Sequence, residues 1–434
     1  MKHQDRQQIV IVGGGVAGLE IATALGRRER RRNDGFAITL VDGEPAHVWK
    51  PMLHTIAAGT RDLSQQQTSY VAQAHDAGFS YQPGRLQGLD RDAREIEIAP
   101  LLAPDGRLVV PGRRLRYDAL VLAVGSQAND FGTPGVADHC FMIDSRAQAD
   151  VFNQELRLRV LQCVAQEGEL SIAVVGGGAT GVELAAELVQ LVELSVGYGA
   201  HGLASRIRVT LIEAGPRLLP AFPEDISAAT RSRLEAIGVT VMTATQVNAA
   251  TPEGYVLKDG SIVPAALKVW AAGVKGADFL AGLGGLEAGR NHQLVVEPSL
   301  RTTRDPAIYA VGDCASLTPP DAERPLPPTA QLAHQQARHL IRHLPSALLR
   351  DRPIPDFVYR DMGSLVSLGD YDAFGSLGKF GLFDHVTFRG RLAQLSHVLL
   401  YRSHQARLHG FWRGGLLWLV DLLNTRLRAS IRLD

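Results

Sequence analysis

Cysteine is scarce: Cys140, Cys163 and Cys314 are the whole supply, an odd number spread far apart along 434 residues. Such spacing excludes a CxxC metal or dithiol motif and gives no framework of disulfides. Long apolar runs are lacking too, and none reaches the roughly 18 to 20 residues that a bilayer-spanning helix needs. The apolar segment Ile9 to Val12 follows Met1 closely. A charged leader, an apolar stretch of about 7 to 15 residues and a cleavage site therefore find no room, and a cytoplasmic start is expected. Net charge is zero, with 45 Lys+Arg against 45 Asp+Glu, and no nucleic-acid partner is expected. One region departs from that balance, since Arg389 to Asp434 holds eight arginines against Asp421 and Asp434. Apolar residues are plentiful at 45%, enough for large cores. The length suggests two to three domains at roughly 150 residues each.

The most informative positions are glycines. Ile9-Val10-Ile11-Val12 leads into Gly13-Gly14-Gly15-Val16-Ala17-Gly18, and Asp42 closes the next apolar strand, Ala37 to Val41. The pattern returns as Ile172-Ala173-Val174-Val175 before Gly176-Gly177-Gly178-Ala179-Thr180-Gly181, with Glu213 closing Val209 to Ile212. In such a unit one glycine makes the tight turn, one admits the pyrophosphate to the backbone, and one packs helix on sheet, while the acid bonds ribose hydroxyls. One copy is a weak signal. Two complete copies imply two dinucleotides held together, with electrons passing between them.

The rest of the chain is organised around these turns. A helix is expected from Val16 to about Gly26, ending in the basic run Arg27 to Arg32, which reads as a solvated helix end favoured by the C-terminal dipole. Ala119 to Val124 reads as a buried strand ending at Gly125, and Leu267 to Ala272, ending at Gly273, is its near-copy. A later strand, Ala307 to Val311, runs into Gly312-Asp313, so the second nucleotide unit looks inserted into the first. A Pro-rich stretch, Thr318 to Pro328, precedes a helix beginning near Thr329. The fold class expected is α/β, with two Rossmann-like dinucleotide-binding domains and a C-terminal amphipathic helical region.

The two fingerprints, the Gly125 and Gly273 strand ends, and Ala310-Val311-Gly312-Asp313 together resemble the two-dinucleotide-binding-domain flavoproteins. Three further segments resemble one branch of them: His47 to His54, Pro328 to Gln335, and a tail from Gly363 through Leu400 to Gly410. That branch is the type II NADH:quinone oxidoreductases, the non-proton-pumping NADH dehydrogenases of respiratory membranes. The resemblance implies non-covalent FAD on the first fingerprint, NADH as substrate on the second, and a membrane quinone (ubiquinone or menaquinone) as acceptor. It implies residues 1–165 as the first part of the FAD domain, 166–290 as the NADH domain, 291–345 as the second part of the FAD domain with the quinone-site helix, and 346–434 as a membrane-binding region. A peripheral position on the cytoplasmic face of a bacterial inner membrane is expected, feeding electrons to the respiratory chain.

By the same resemblance, Gly13, Gly14, Gly15, Val16, Ala17, Gly18, Asp42, Lys50, Gly125, Gly312, Asp313, Ala330 and Gln331 would contact FAD. Gly177, Gly178, Thr180, Gly181, Glu213 and Gly273 would serve the NADH site. A carboxylate at position 213 accepts bonds from a free 2′-hydroxyl and repels a 2′-phosphate, which favours NADH over NADPH; Arg217 nearby reads as a surface arginine. Glu183 would stand near the nicotinamide and act in catalysis, whereas Glu187, one turn on, reads as structural. Gln331 and Gln335, spaced i and i+4, share one helix face and complete the Ala-Gln-x-Ala-x-Gln pattern. Their amides would donate to quinone carbonyls. Lys379 is a weaker candidate for proton supply there.

The tail interleaves Leu392, Leu395, Val398 and Leu399, then Trp412, Leu416 to Val420 and Leu423, with Arg402, Arg407, Arg413, Arg426 and Arg428. Basic residues with Trp and Leu on a helix suit a segment lying in the headgroup plane. A terminal helix packed on a core or on a second copy is the alternative, and a homodimer is among the partners expected. His397, His404 and His409 lack metal spacing and read as interfacial. Two other functions compete: a sulfide:quinone oxidoreductase, which needs redox cysteines beside the flavin, and an NADH-responsive flavoprotein sensor or scaffold.

Overall fold

The computed structural model describes residues 6–60, 67–194, 202–369, 371–376 and 387–427. Along the chain, the elements that position the site begin with β1 (Gln7–Val12), α1 (Val16–Arg32), β2 (Phe36–Asp42), α2 (Leu53–Ala58), α3 (Tyr70–Ala77), β3 (Ser80–Pro83) and β4 (Ala119–Leu122). They continue with α4 (Arg146–Ala165), β5 (Leu170–Val175), α5 (Ala179–Leu194), β6 (Ile207–Ile212), α6 (Glu224–Ala236), β7 (Val239–Met242), β8 (Leu267–Trp270), β9 (Asp305–Ala310) and α7 (Ala330–Arg350). The tail adds β10 (Ser364–Ser367), β11 (Ala373–Ser376), β12 (Thr387–Arg389), α8 (Arg391–His409) and α9 (Phe411–Leu427).

By packing, one compact unit comprises Met1–Trp49, Gln67–Gln127 and Lys275–Arg360, and the other Lys50–Gln66, Ala128–Val274 and Asp361–Asp434. The first is built on a six-stranded sheet ordered Arg301–Thr302, β9, β4, β1, β2, β3. Only its two-residue edge strand runs antiparallel. Ile9, Val10, Ile11 and Val12 are all buried, as a parallel sheet covered on both faces requires. The register pairs Val12 with Val41 on one side and Leu122 on the other, so the chain leaving β1 passes alongside Asp42. Helix α1 runs beyond Gly26 to Arg32, and Asn33 ends it in the left-handed conformation at φ 50°. Its basic run is partly solvated, with Arg31 and Arg32 exposed. Arg28 bonds Asp34 at 2.6 Å, and Arg30 caps α3 through the carbonyls of His75 and Asp76.

The second unit repeats the arrangement on a four-stranded parallel sheet ordered β7, β6, β5, β8. Here Val175 pairs with Ile212, which puts Glu213 beside the second glycine turn. Helix α2 packs on α4 and α5 within this unit. The antiparallel sheet β10-β11-β12 carries α8, which in turn packs on α9. Contact groups residues 128–165 and the tail with the second fingerprint, whereas the resemblance places 128–165 with the first part of the FAD domain. Among the described residues no helix is long and apolar enough to cross a membrane.

Candidate active site

Both glycine turns are built alike, and each glycine's task can be read from what a side chain there would meet. Gly13 and Gly176 take φ of 100° and 120° and lie against the backbone of Ala123 and Ala271, so only glycine makes these turns. A Cβ on Gly18 or Gly181 would overlap the carbonyl of Gly13 or Gly176, which fixes the close helix–strand approach. The glycine between the first two motif glycines does not open toward a ligand. A Cβ on Gly14 would enter the Tyr70 ring, and one on Gly177 would meet Glu213 and Leu218. The bare positions are Gly15 and Gly178, where a Cβ would have no neighbour within 4 Å. Gly15 has an ordinary φ of −67° and caps α1 without a side-chain bond. Its lack of a side chain is thus explained by space for something outside the chain, and a pyrophosphate meeting unpaired helix N-terminal amides fits that space.

The two acids are held the same way. Asp42 Oδ2 accepts from Gly14 N–H at 2.5 Å and Oδ1 from Glu44 N–H at 2.8 Å. Burial raises the Asp42 carboxyl above its ordinary range, and the two amides oppose that rise. Glu213 Oε2 accepts from Gly177 N–H at 2.5 Å and Oε1 from Gly215 N–H at 2.6 Å. Arg217 spends its guanidinium on the carbonyls of Leu219, Pro220 and Phe222, so it staples its own loop.

In the first unit, β9 delivers Gly312 and Asp313 to the N-terminal end of α7. Ser126 Oγ donates to Asp313 Oδ2 at 2.8 Å, and Gln293 Nε2 to the Asp313 carbonyl at 2.8 Å. Thr329 caps α7 by accepting from Leu332 N–H, so Ala330 and Gln331 are its first two residues. Fully buried Gln336, which the i, i+4 pattern passed over, accepts from Gly312 N–H at 2.7 Å. Gln331 Nε2 donates to Tyr359 Oη at 2.9 Å. Gln335 is engaged in both directions by Arg360, donating to its carbonyl at 2.8 Å and accepting from its N–H at 3.0 Å. The Gln335 amide therefore clamps the segment after α7. His334, between them, bonds buried Glu20 of α1 at 2.6 Å. Gly125 and Cys314 meet at this turn, where burial pushes the thiol up to about 11.

In the second unit, α5 carries exposed Thr180 and two buried glutamates. Glu183 Oε1 accepts from Ser367 N–H at 3.0 Å, and Oε2 lies 3.4 Å from His54 Nδ1. Burial, with Glu187 nearby, pushes its carboxyl up to about 8 against the pull of the Ser367 amide. Glu183 is not a solvated helix residue. Glu187 accepts from Thr60 Oγ1 at 2.5 Å. Lys50 is exposed and acts electrostatically on Asp144, while Gly273 turns at φ 88° against Phe131.

The structure thus gathers Gly13 to Gly18, Asp42, Gly125, Gly312, Asp313, Ala330, Gln331 and Gln335 in the first unit. Lys50, Gly177, Gly178, Thr180, Gly181, Glu183, Glu213 and Gly273 fall in the second. Lys379 lies outside the described residues. Cys140 donates to Tyr255 Oη, Cys163 to the Gly168 carbonyl and Cys314 to the Leu122 and Val311 carbonyls; all three are free thiols. In the tail, His404 is buried, which corrects its reading as interfacial: it faces inward from α8 beside Ala393, Tyr401 and Leu408. Arg402 joins α8 to α9 through Asp421 at 2.5 Å. Trp412, Leu416, Trp418, Leu419, Val420 and Leu423 stand exposed on α9, on more than one face.

Comparison with known proteins gives the family and the fold. The pyridine nucleotide-disulphide oxidoreductase family matches residues 7–337. A type II NADH:quinone oxidoreductase of Haemophilus influenzae is 42% identical over 98% of this chain and 100% of its own length. That of Staphylococcus aureus is 30% identical over 86% of this chain and 90% of its own. In fold, NDH2 from Plasmodium falciparum in complex with NADH superposes with a TM-score of 0.80 at 19% identity, covering 98% of this chain and all of that one. The sulfide:quinone oxidoreductase of Aquifex aeolicus gives a TM-score of 0.71 at 18% identity, over 98% of this chain and 96% of its own. With two glycine turns of one design and relatives matched along nearly their whole length, the chain belongs to the type II NADH:quinone oxidoreductases of the pyridine nucleotide-disulphide oxidoreductase family.

Proposed function

We propose that this protein oxidises NADH by hydride transfer to non-covalently held FAD and reduces a membrane quinone to quinol without pumping protons. The quinone gains two electrons and two protons, of which NADH supplies the hydride and solvent the remainder. When bound, FAD supplies the two-electron redox chemistry, and the protein supplies placement, polarity and proton access.

The first fingerprint, Asp42, Gly312 and Asp313 hold the flavin dinucleotide. The second fingerprint, with Thr180 and Glu213, holds NADH, and Glu213 disfavours a 2′-phosphate while Arg217 is committed to its own loop. Glu183 keeps its proton at neutral pH and presents a neutral carboxyl near the nicotinamide end. Gln331 orients the quinone without adding charge, Tyr359 fixing its amide, and Gln335 supports it. The observation that carries this reading over sulfide oxidation is the state of the thiols. Cys140, Cys163 and Cys314 are all free, and each bonds a tyrosine hydroxyl or a backbone carbonyl rather than another cysteine, so the chain offers no disulfide for sulfide to attack.

The exposed apolar surface of α9, with Arg413 exposed on the same helix, supports attachment to the lipid headgroup plane on the cytoplasmic face of the inner membrane, where quinone is dissolved. The test is anaerobic: NADH should bleach the bound flavin and a short-chain quinone should restore its colour. Bleaching without recovery would leave a sensor or a reductase of soluble acceptors, and bleaching by sulfide alone would overturn the donor.

A further inference from the structure

The middle glycine of the first fingerprint is held by more groups than its counterpart in the second. Gly14 N–H donates to Asp42, and its carbonyl accepts from Tyr70 Oη at 2.9 Å with His47 Nδ1 also at 2.9 Å. Both side chains are buried, at 3% and 4% exposure, so neither bond competes with water. In the second fingerprint the matching carbonyl, that of Gly177, is met by a backbone group, Leu219 N–H at 2.7 Å. The first turn therefore takes its shape from two side chains that arrive on separate segments, Ala46–His47 and α3.

The consequence follows from peptide geometry. The Gly14 carbonyl and the Gly15 N–H belong to one planar trans peptide and point in opposite directions. Pinning the carbonyl on Tyr70 and His47 directs the Gly15 N–H away from them, toward the open space in front of Gly15. We propose that Tyr70 and His47 are positioning residues for FAD: by holding the Gly14 carbonyl they aim the Gly15 amide at the pyrophosphate before it arrives. The inference rests on FAD occupying the first fingerprint. Because the carbonyl accepts, His47 carries its proton on Nδ1. A carbonyl has two lone pairs, and either donor alone keeps it satisfied, so the two residues back each other up.

Release of FAD from the purified holoenzyme, followed by recovery of free-flavin fluorescence on dilution, tests this. Tyr70→Phe or His47→Ala alone should speed release about two- to fivefold, and the pair together about fiftyfold, because only the pair leaves a buried acceptor unmade. His47→Asn, whose amide nitrogen can stand where Nδ1 stood, should return the double variant to the level of Tyr70→Phe. Thermal unfolding of the flavin-free proteins should drop most in the double variant, as an unmade buried acceptor requires, while Leu188→Ala, a core truncation in the second unit, should lower the flavin-free Tm without speeding release, which distinguishes aiming of an amide from general loosening. Wild-type release rates in the double variant, or release from Leu188→Ala as fast as from the double variant, would overturn the proposal. A wild-type protein that purifies with another nucleotide on this turn would overturn the FAD assignment beneath it instead.

Discussion

At the scale of single residues, Glu183 is the group whose chemistry departs furthest from its sequence appearance. In the folded protein its carboxyl holds a proton up to about pH 8, against an ordinary value of 4.5. Between those values the folded state binds more protons than the unfolded one, so its contribution to stability is present at low pH and is lost as pH rises through the folded pKa. Glu183→Gln mimics the neutral form and lacks this loss. Its Tm relative to wild type should rise by about 5 °C between acidic and mildly alkaline buffer, and a constant gap would mean that the carboxyl is ionised throughout. The amides of α7 separate in the same way. Gln331→Ala should slow flavin reoxidation by quinone about tenfold or more while flavin reduction by NADH stays nearly intact. Gln335→Ala should also free residues 351–360 to limited proteolysis, because it removes both bonds to Arg360; loss of the reductive half in either variant would remove both residues from the quinone site. The Ala-Gln-x-Ala-x-Gln resemblance, more than the i, i+4 spacing, singled out these two glutamines. It could not reveal Gln336, whose burial against Gly312 depends on how α7 is rolled on its neighbours, a matter of tertiary packing that no local pattern records.

At the scale of elements, the strand–turn–helix units were legible because each is specified locally: an apolar run, a glycine that turns, and an acid at the end of the next strand. What stands over each glycine was not, since that is set by packing from distant segments: the pattern assigns pyrophosphate access to one glycine of the turn, and the structure leaves Gly15 open while Tyr70 covers Gly14. This yields opposite outcomes for two neighbouring substitutions. Gly15→Ala fits its backbone angles and meets no neighbour, so the flavin-free protein should keep its Tm while FAD affinity falls at least tenfold. Gly14→Ala collides with the Tyr70 ring and should lower the Tm itself, by an overpacking cost of about 1–3 kcal/mol. Titration of flavin-free protein with FAD, alongside thermal unfolding, reads both quantities. Equal FAD affinity in Gly15→Ala and wild type would move pyrophosphate access away from Gly15.

At the scale of the whole molecule, charge and apolar surface concentrate in the tail, and the fold decides how that can be tested. The sequence showed a basic, Trp- and Leu-rich end but not that α8 and α9 do different work. Helix α8 buries Ala393, Tyr401, His404 and Leu408 and packs on the sheet β10-β11-β12, so removing the chain from its start would strip a core. Helix α9 keeps its apolar side chains outside, with Trp412 at 83% and Leu416 at 64% exposure. Trp412→Asp with Leu416→Asp therefore alters the surface alone and leaves the Arg402–Asp421 link between the helices in place. Burying each such side chain in lipid contributes about 1.5–3 kcal/mol, so the pair should weaken binding to vesicles containing anionic lipid about a hundredfold or more. Bleaching of the flavin by NADH and its recovery with short-chain quinone should persist, while turnover with long-chain quinone in vesicles falls with binding. A tail that serves instead as a contact between two copies would leave vesicle binding unchanged and lower the sedimenting mass.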